Sequence, residues 1–225
     1  MHIEPGVVTG AKLGLSYATA ALAFGLVAKS SLDTIKKDGL TSLLMRALMS
    51  TLLVFIFFEV FPKQPVGVSE VHFILGSTLF LVFGPAAAAL GLSAGLLVQG
   101  MFFAPFDLPQ YGMNVTTLLL PLFAMAAVAR RTISEQTAYV DIQYSQALRL
   151  SLTYQGGIIV WVAFWAFYGQ GFGAENLSSV ATFGMAYLSV VLLEPLFDLG
   201  ILAGAKAIKR LQGSPWVETR LYQAK

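Results

Sequence analysis

The sequence predicts an all-α membrane protein of about seven transmembrane helices, with the N-terminus outside and the C-terminus in the cytoplasm, and three observations carry that expectation. Hydrophobic residues make up 56% of the 225 and charged residues only 12%, where an average soluble domain is about a quarter charged. Mean hydropathy is +0.73, and the apolar residues gather into stretches near the ~20 that cross a ~30 Å hydrocarbon core. Basic residues, finally, crowd into alternate connections between those stretches.

The stretches fall at about 6 to 28, 41 to 62, 71 to 84, 85 to 104, 113 to 131, 150 to 168 and 177 to 204, and most match the span length. Lys29, Lys36 and Lys37 follow the first, Arg130, Arg131 and Arg149 bracket the connection after the fifth, and Lys206, Lys209, Arg210, Arg220 and Lys225 fill the tail. Only Lys63 lies in a connection of the other set. The positive-inside rule then sets the orientation. Gly84-Pro85 reads as a hairpin turn, because a single span over 71 to 92 would send Arg130-Arg131 outward. Counting back from a turn at the inner face, a helix reaches His72 after only ~18 Å. His72 is therefore expected at membrane depth on the outer half, where an ionisable residue is a functional candidate.

Residues 1–211 are expected as one polytopic transmembrane domain and 212–225 as a short cytoplasmic tail, solvated or anchored at the interface. Gly6, Gly10, Gly14 and Ala18 form a small-residue ridge that predicts a packed first helix. The Pro- and aromatic-rich 105–112 reads as an outward loop able to cover a site. The segment from Ser134 to Arg149 reads as an amphipathic interfacial helix or docking surface.

Composition excludes several functions. A net charge of +2 is too small for nucleic-acid binding, and with no cysteine there is neither a disulfide nor a thiolate metal site. No basic presequence precedes the first span, although Ala18-Thr19-Ala20 and Ala21-Leu22-Ala23 fit a cleavage pattern. There is no phosphate-binding glycine loop and no H-E-x-x-H. Gly91-Leu92-Ser93-Ala94-Gly95 fits G-x-S-x-G, yet no histidine follows Ser93 to act as its base. The chain is not expected to be an enzyme, and energy for transport would come from a partner or a gradient.

What remains is the opening Met1-His2-Ile3-Glu4. A free α-amine, the His2 amide nitrogen and the His2 imidazole can close fused rings around one ion and fill three corners of a square, a field suited to nickel(II), copper(II) and low-spin cobalt(II). The fourth corner needs another donor, and His72 is the other histidine of the chain. Glu4, Glu59 and Asn114 are expected around the site. Glu194 and Asp198, one turn apart on the last span, read either as a proton or cation path or, more simply, as acids meeting Lys206 or solvent.

The run Val71-His72-Phe73-Ile74-Leu75-Gly76-Ser77, together with Met1-His2-Ile3, Leu81-Val82-Phe83-Gly84-Pro85, Leu97-Val98-Gln99 to Phe103 and Gly112-Met113-Asn114, resembles the cobalt- and nickel-specific substrate-binding membrane components of energy-coupling factor transporters. The resemblance extends to about residue 125. It implies seven spans, an N-terminus tucked into the protein from outside, and metal held by Met1, His2 and His72. It also implies a second transmembrane coupling subunit and two cytoplasmic ATPase subunits as partners, in the inner membrane of a prokaryote. Two departures stand out: Glu4-Pro5 where the family has Met or Pro followed by an acid, and Tyr187-Leu188-Ser189 before Glu194 where it has H-L-P. The expected function is capture of divalent cobalt or nickel for ATP-driven uptake, and the alternative is a non-transporting membrane subunit serving as a structural or assembly element of a larger complex.

Overall fold

The structure, a computed structural model, describes residues 3–60 and 64–224, without the side chain of Lys209. Six helices among them are long and apolar enough to cross a membrane: α1 (Leu13–Asp38), α2 (Leu40–Glu59), α3 (Gly76–Phe102), α4 (Tyr111–Thr132), α5 (Tyr144–Gln170) and α6 (Ala174–Ala207). A two-stranded antiparallel hairpin, β1 (Gln64–Val66) and β2 (Ser69–Val71), lies between α2 and α3. Large apolar side chains such as Leu22, Leu48, Leu188 and Leu192 are exposed on the outside of the bundle, as contact with lipid requires.

The expected third and fourth spans are parts of one broken helix. Gly84, at φ 81 and ψ 165, interrupts α3 and leaves a first part of only eight residues, about 12 Å long. Carbonyls freed by the break find other donors: Val82 O accepts from the Glu218 N–H at 2.7 Å, and Phe83 O from Arg46 Nη1 at 3.3 Å. Beyond Gly84, α3 climbs along α2 in the same direction, with Gly91 against Ser50 and Gly95 against Val54. Residues 76–83 therefore run toward the Arg46 end of the bundle and 85–102 run back. The remainder of the descent, residues 72–75, has no regular secondary structure. His72 thus lies on an irregular link rather than on the predicted helix. The chain re-enters a helix through Leu75, which has φ 54, a left-handed conformation that L-residues adopt at a cost of about 1–2 kcal/mol.

Other expectations are also corrected. The small-residue ridge does not pack: Gly6 and Gly10 precede α1 with positive φ, so the four-residue spacing is not helical there, and a Cβ at Gly14 would meet nothing within 4 Å. The buried side of α1 is instead Ser16, Ala20, Ala23 and Val27. The segment 134–149 forms a 3-10 turn at Tyr139–Asp141 and then enters α5, with Tyr139 buried beneath the Arg220 guanidinium, 4.9 Å from the ring centroid. The last residues are not a solvated tail. Val217, Arg220 and Leu221 are buried, and Glu218 pairs with Arg46. Arg46 is fully buried and also holds Asp38 at 2.7 Å. Pro105–Gln110 is a 3-10 helix at the α3–α4 connection with Asp107 and Gln110 buried.

Candidate metal-capture site

At the end of the bundle opposite Arg46, the N-terminal segment is fastened from three sides. Ile3 bridges Ser69 in antiparallel fashion, its N–H donates to Asn114 Oδ1 at 2.9 Å, and the Glu4 N–H donates to Val68 O at 3.3 Å. Ile3 is fully buried. The Val7 main chain lies so close to Gly169 of α5 that a Cβ there would sit 1.9 Å from Val7 O. Asn114 belongs to the first turns of α4, so a rigid helix positions this anchor.

Ser69 opens β2, which continues directly into His72. Alternation along an extended chain places residues two apart on one side, and Glu70 and His72 meet there: His72 Nε2 lies 2.9 Å from Glu70 Oε2. A carboxylate on one ring nitrogen orients the imidazole and leaves the lone pair on Nδ1, the arrangement that prepares histidine to bind a metal. The Phe58 ring packs edge-on against the imidazole at 5.4 Å. Tyr187 donates to the His72 carbonyl at 3.5 Å. His72 is buried.

Of the predicted residues, His72, Glu4 and Asn114 come together around Ile3 and β2, and Glu59 ends α2 at the same end of the bundle, with Oε1 buried and lacking a hydrogen-bond partner among the described residues. Met1 and His2 lie outside the described residues. Burial first, and then the nearby Glu70 carboxylate, raises the Glu4 pKa above the ordinary carboxylate value. Glu70 escaped the sequence reading; the signal for it was the Glu-Val-His alternation within a strand-like stretch. Tyr187 was noticed only as a departure from a family pattern, and its contact with His72 is a tertiary fact.

Ser93 sits on a helix-packing ridge, whereas the inner acids do not meet Lys206 or solvent as their simpler reading expected. Ser93 donates to Ala89 O one turn back, and its flanking glycines serve helix packing, with a Cβ at Gly91 falling 2.1 Å from Ser50 Oγ. Lys206 pairs with Asp141, leaving Glu194 and Asp198 fully buried among hydroxyl and amide groups of α3 and α5.

The family model CbiM, cobalt uptake substrate-specific transmembrane region, matches residues 2–210. No curated protein sequence matches the chain. Two crystal structures share its fold. One, of a truncated transition metal transporter, aligns with a TM-score of 0.69 at 16% identity over 92% of this chain and 99% of the other. A second, of a transition metal transporter, gives 0.68 at 16% identity over 93% and 94%. The chain therefore belongs to the cobalt uptake substrate-specific transmembrane family and is a membrane component of metal uptake.

Proposed function

We propose that this protein is the substrate-capture membrane subunit of an energy-coupling factor transporter, taking up divalent cobalt or nickel with the ion held by the Met1 amine, the His2 amide and imidazole, and His72. The observation that carries the reading is the anchorage of Ile3 on Ser69 and Asn114, which fastens the start of the chain three residues along β2 from His72. Among the described residues no group of three His, Asp or Glu side chains is placed to hold a metal, so a site at His72 calls for donors from the main chain or from residues 1 and 2. The amine and amide supply them as nitrogens, the ligand type that suits nickel and cobalt.

In this reading the Arg46 end, with Lys36, Lys37, Arg130, Arg131 and Arg220, faces the cytoplasm by the positive-inside rule, and the His72 end faces outward. ATP would be hydrolysed by two partner subunits acting through a second transmembrane subunit, in a prokaryotic inner membrane. The test is elemental analysis of protein purified without added metal, as the native chain and with residues added before Met1. The native protein retains cobalt or nickel and the extended one loses it, while both elute as the same folded species. Full retention by the extended protein would sink the terminal chelate.

A further inference from the structure

Glu194 and Asp198 lie one helical turn apart on α6 with no exposed surface. The groups around them are Ser77 and Thr78 from α3, Ser151, Tyr154 and Gln155 from α5, and Tyr187 from α6 itself. No ion pair joins either acid to a lysine, arginine or histidine among the described residues: Lys206 is on Asp141, Arg46 on Asp38 and Glu218, and His72 on Glu70. Two bare carboxylates in a dry site without a countercharge are unfavourable.

Their hydrogen bonds differ. Asp198 accepts Ser77 Oγ at 2.7 Å on one oxygen and Thr78 Oγ1 on the other. Both donors sit in the first turn of helix 76–83, where the unpaired N–H groups and the helix dipole favour a negative charge. Glu194 is satisfied on one side only. Its Oε2 accepts from Ser151 Oγ at 2.9 Å and Gln155 Nε2 at 2.7 Å. Among the described residues its Oε1 has no hydrogen-bond partner, and neither has Oε1 of the same Gln155 amide, which is fully buried. With an ionised Glu194 both atoms are acceptors and neither can supply the other a hydrogen; the remaining donors near Glu194 are the Ser77 hydroxyl and N–H at the head of helix 76–83. One proton on Glu194 resolves both: the carboxylic O–H donates to the amide oxygen while the amide N–H donates to the other carboxyl oxygen. Tyr154, whose hydroxyl is also buried without a partner, adjoins the pair with its ring against Gly76.

We infer that Glu194 is a proton-binding site, a neutral carboxylic acid closed on the Gln155 amide, and that Asp198 is the charged member of the pair. The proton sits at the head of helix 76–83, the segment joined to His72 by the three residues Phe73, Ile74 and Leu75.

Infrared spectroscopy of the purified protein at neutral pH tests this. A protonated-carboxyl C=O band is expected, shifted down in heavy water, lost in Glu194→Gln, retained in Asp198→Asn and moved to higher frequency in Gln155→Leu, which removes the amide partner. Glu194→Gln keeps both hydrogen bonds to Gln155 and should elute like the native protein. Absence of the band in the native protein, or its survival at full strength in Glu194→Gln, or its loss in Asp198→Asn instead, overturns the assignment.

Discussion

Ile3 and Asn114, 111 residues apart in the chain, are joined by a 2.9 Å hydrogen bond from a buried main-chain N–H to a side-chain carbonyl. A helix residue thereby holds the chain's opening segment beside the strand that leads to His72. The bond makes the start of the chain part of the folded structure.

Asn114→Leu keeps the volume and removes the acceptor, leaving the Ile3 N–H buried and unsatisfied. Such a group costs about 1–3 kcal/mol, so the melting temperature in detergent should fall. On the proposed chelate, retained cobalt or nickel should fall more than tenfold, because the donors before Ile3 lose their fixed position. Undiminished metal content at a lowered melting temperature would separate the anchor from the site.

His72→Ala and His72→Phe should both express and insert but lose metal accumulation, since each removes a nitrogen ligand. Glu70→Gln should have a smaller effect, because it weakens the group that orients the ring; such partners typically contribute 10–100-fold in affinity. Wild-type accumulation by both His72 variants in cells that depend on this transporter would assign His72 to packing.

The raised pKa of Glu4 gives a pH signature. A carboxyl whose folded-state pKa lies above its unfolded value favours folding below the unfolded pKa, and that contribution is lost as pH rises from the unfolded toward the folded pKa. Burial and Glu70 are the causes. Glu4→Gln should therefore be more stable than the native protein at pH 7, and the difference should close on acidification. Thermal melts of the two proteins across that range decide it; parallel curves contradict the shift.

Arg46→Met removes the positive partner from Asp38 and Glu218 and the donor from Phe83 O. Breaking a buried pair on one side costs about 3–5 kcal/mol. Removing residues 212–225 should destabilise in the same direction, because Glu218 also caps Val82 O beside the Gly84 break. Chemical unfolding in detergent measures both, and a truncated protein of native stability would show that the last residues only rest on the bundle.

Much of this architecture was readable from composition and spacing. Five of the seven expected spans appear as separate helices and the other two share one broken helix, whose break at Gly84-Pro85 is the reversal the charge pattern demanded. His72 lies buried at the end opposite the basic connections. The misreadings share a cause. The four-residue spacing of Gly6, Gly10, Gly14 and Ala18 implies a ridge only if the chain is helical from residue 6, and positive φ at two of the four breaks that assumption. Likewise, counting 1.5 Å per residue back from Gly84 presumed a helix at His72, where the chain is not helical.

Hydropathy and charge by themselves determined that the chain crosses a membrane repeatedly and which connections share a side, because transfer of apolar and basic groups between water and hydrocarbon depends on each segment alone. Residue types at positions 2 and 72 marked the candidate ligands. Only the tertiary structure decided that Glu70 faces His72, that Asn114 holds Ile3, that the last residues pack on Arg46, and that Glu194 and Asp198 meet hydroxyls and an amide instead of Lys206 or water. These are pairings across tens of residues, selected by what each buried polar group can reach once the helices pack, and local sequence carries no record of that reach.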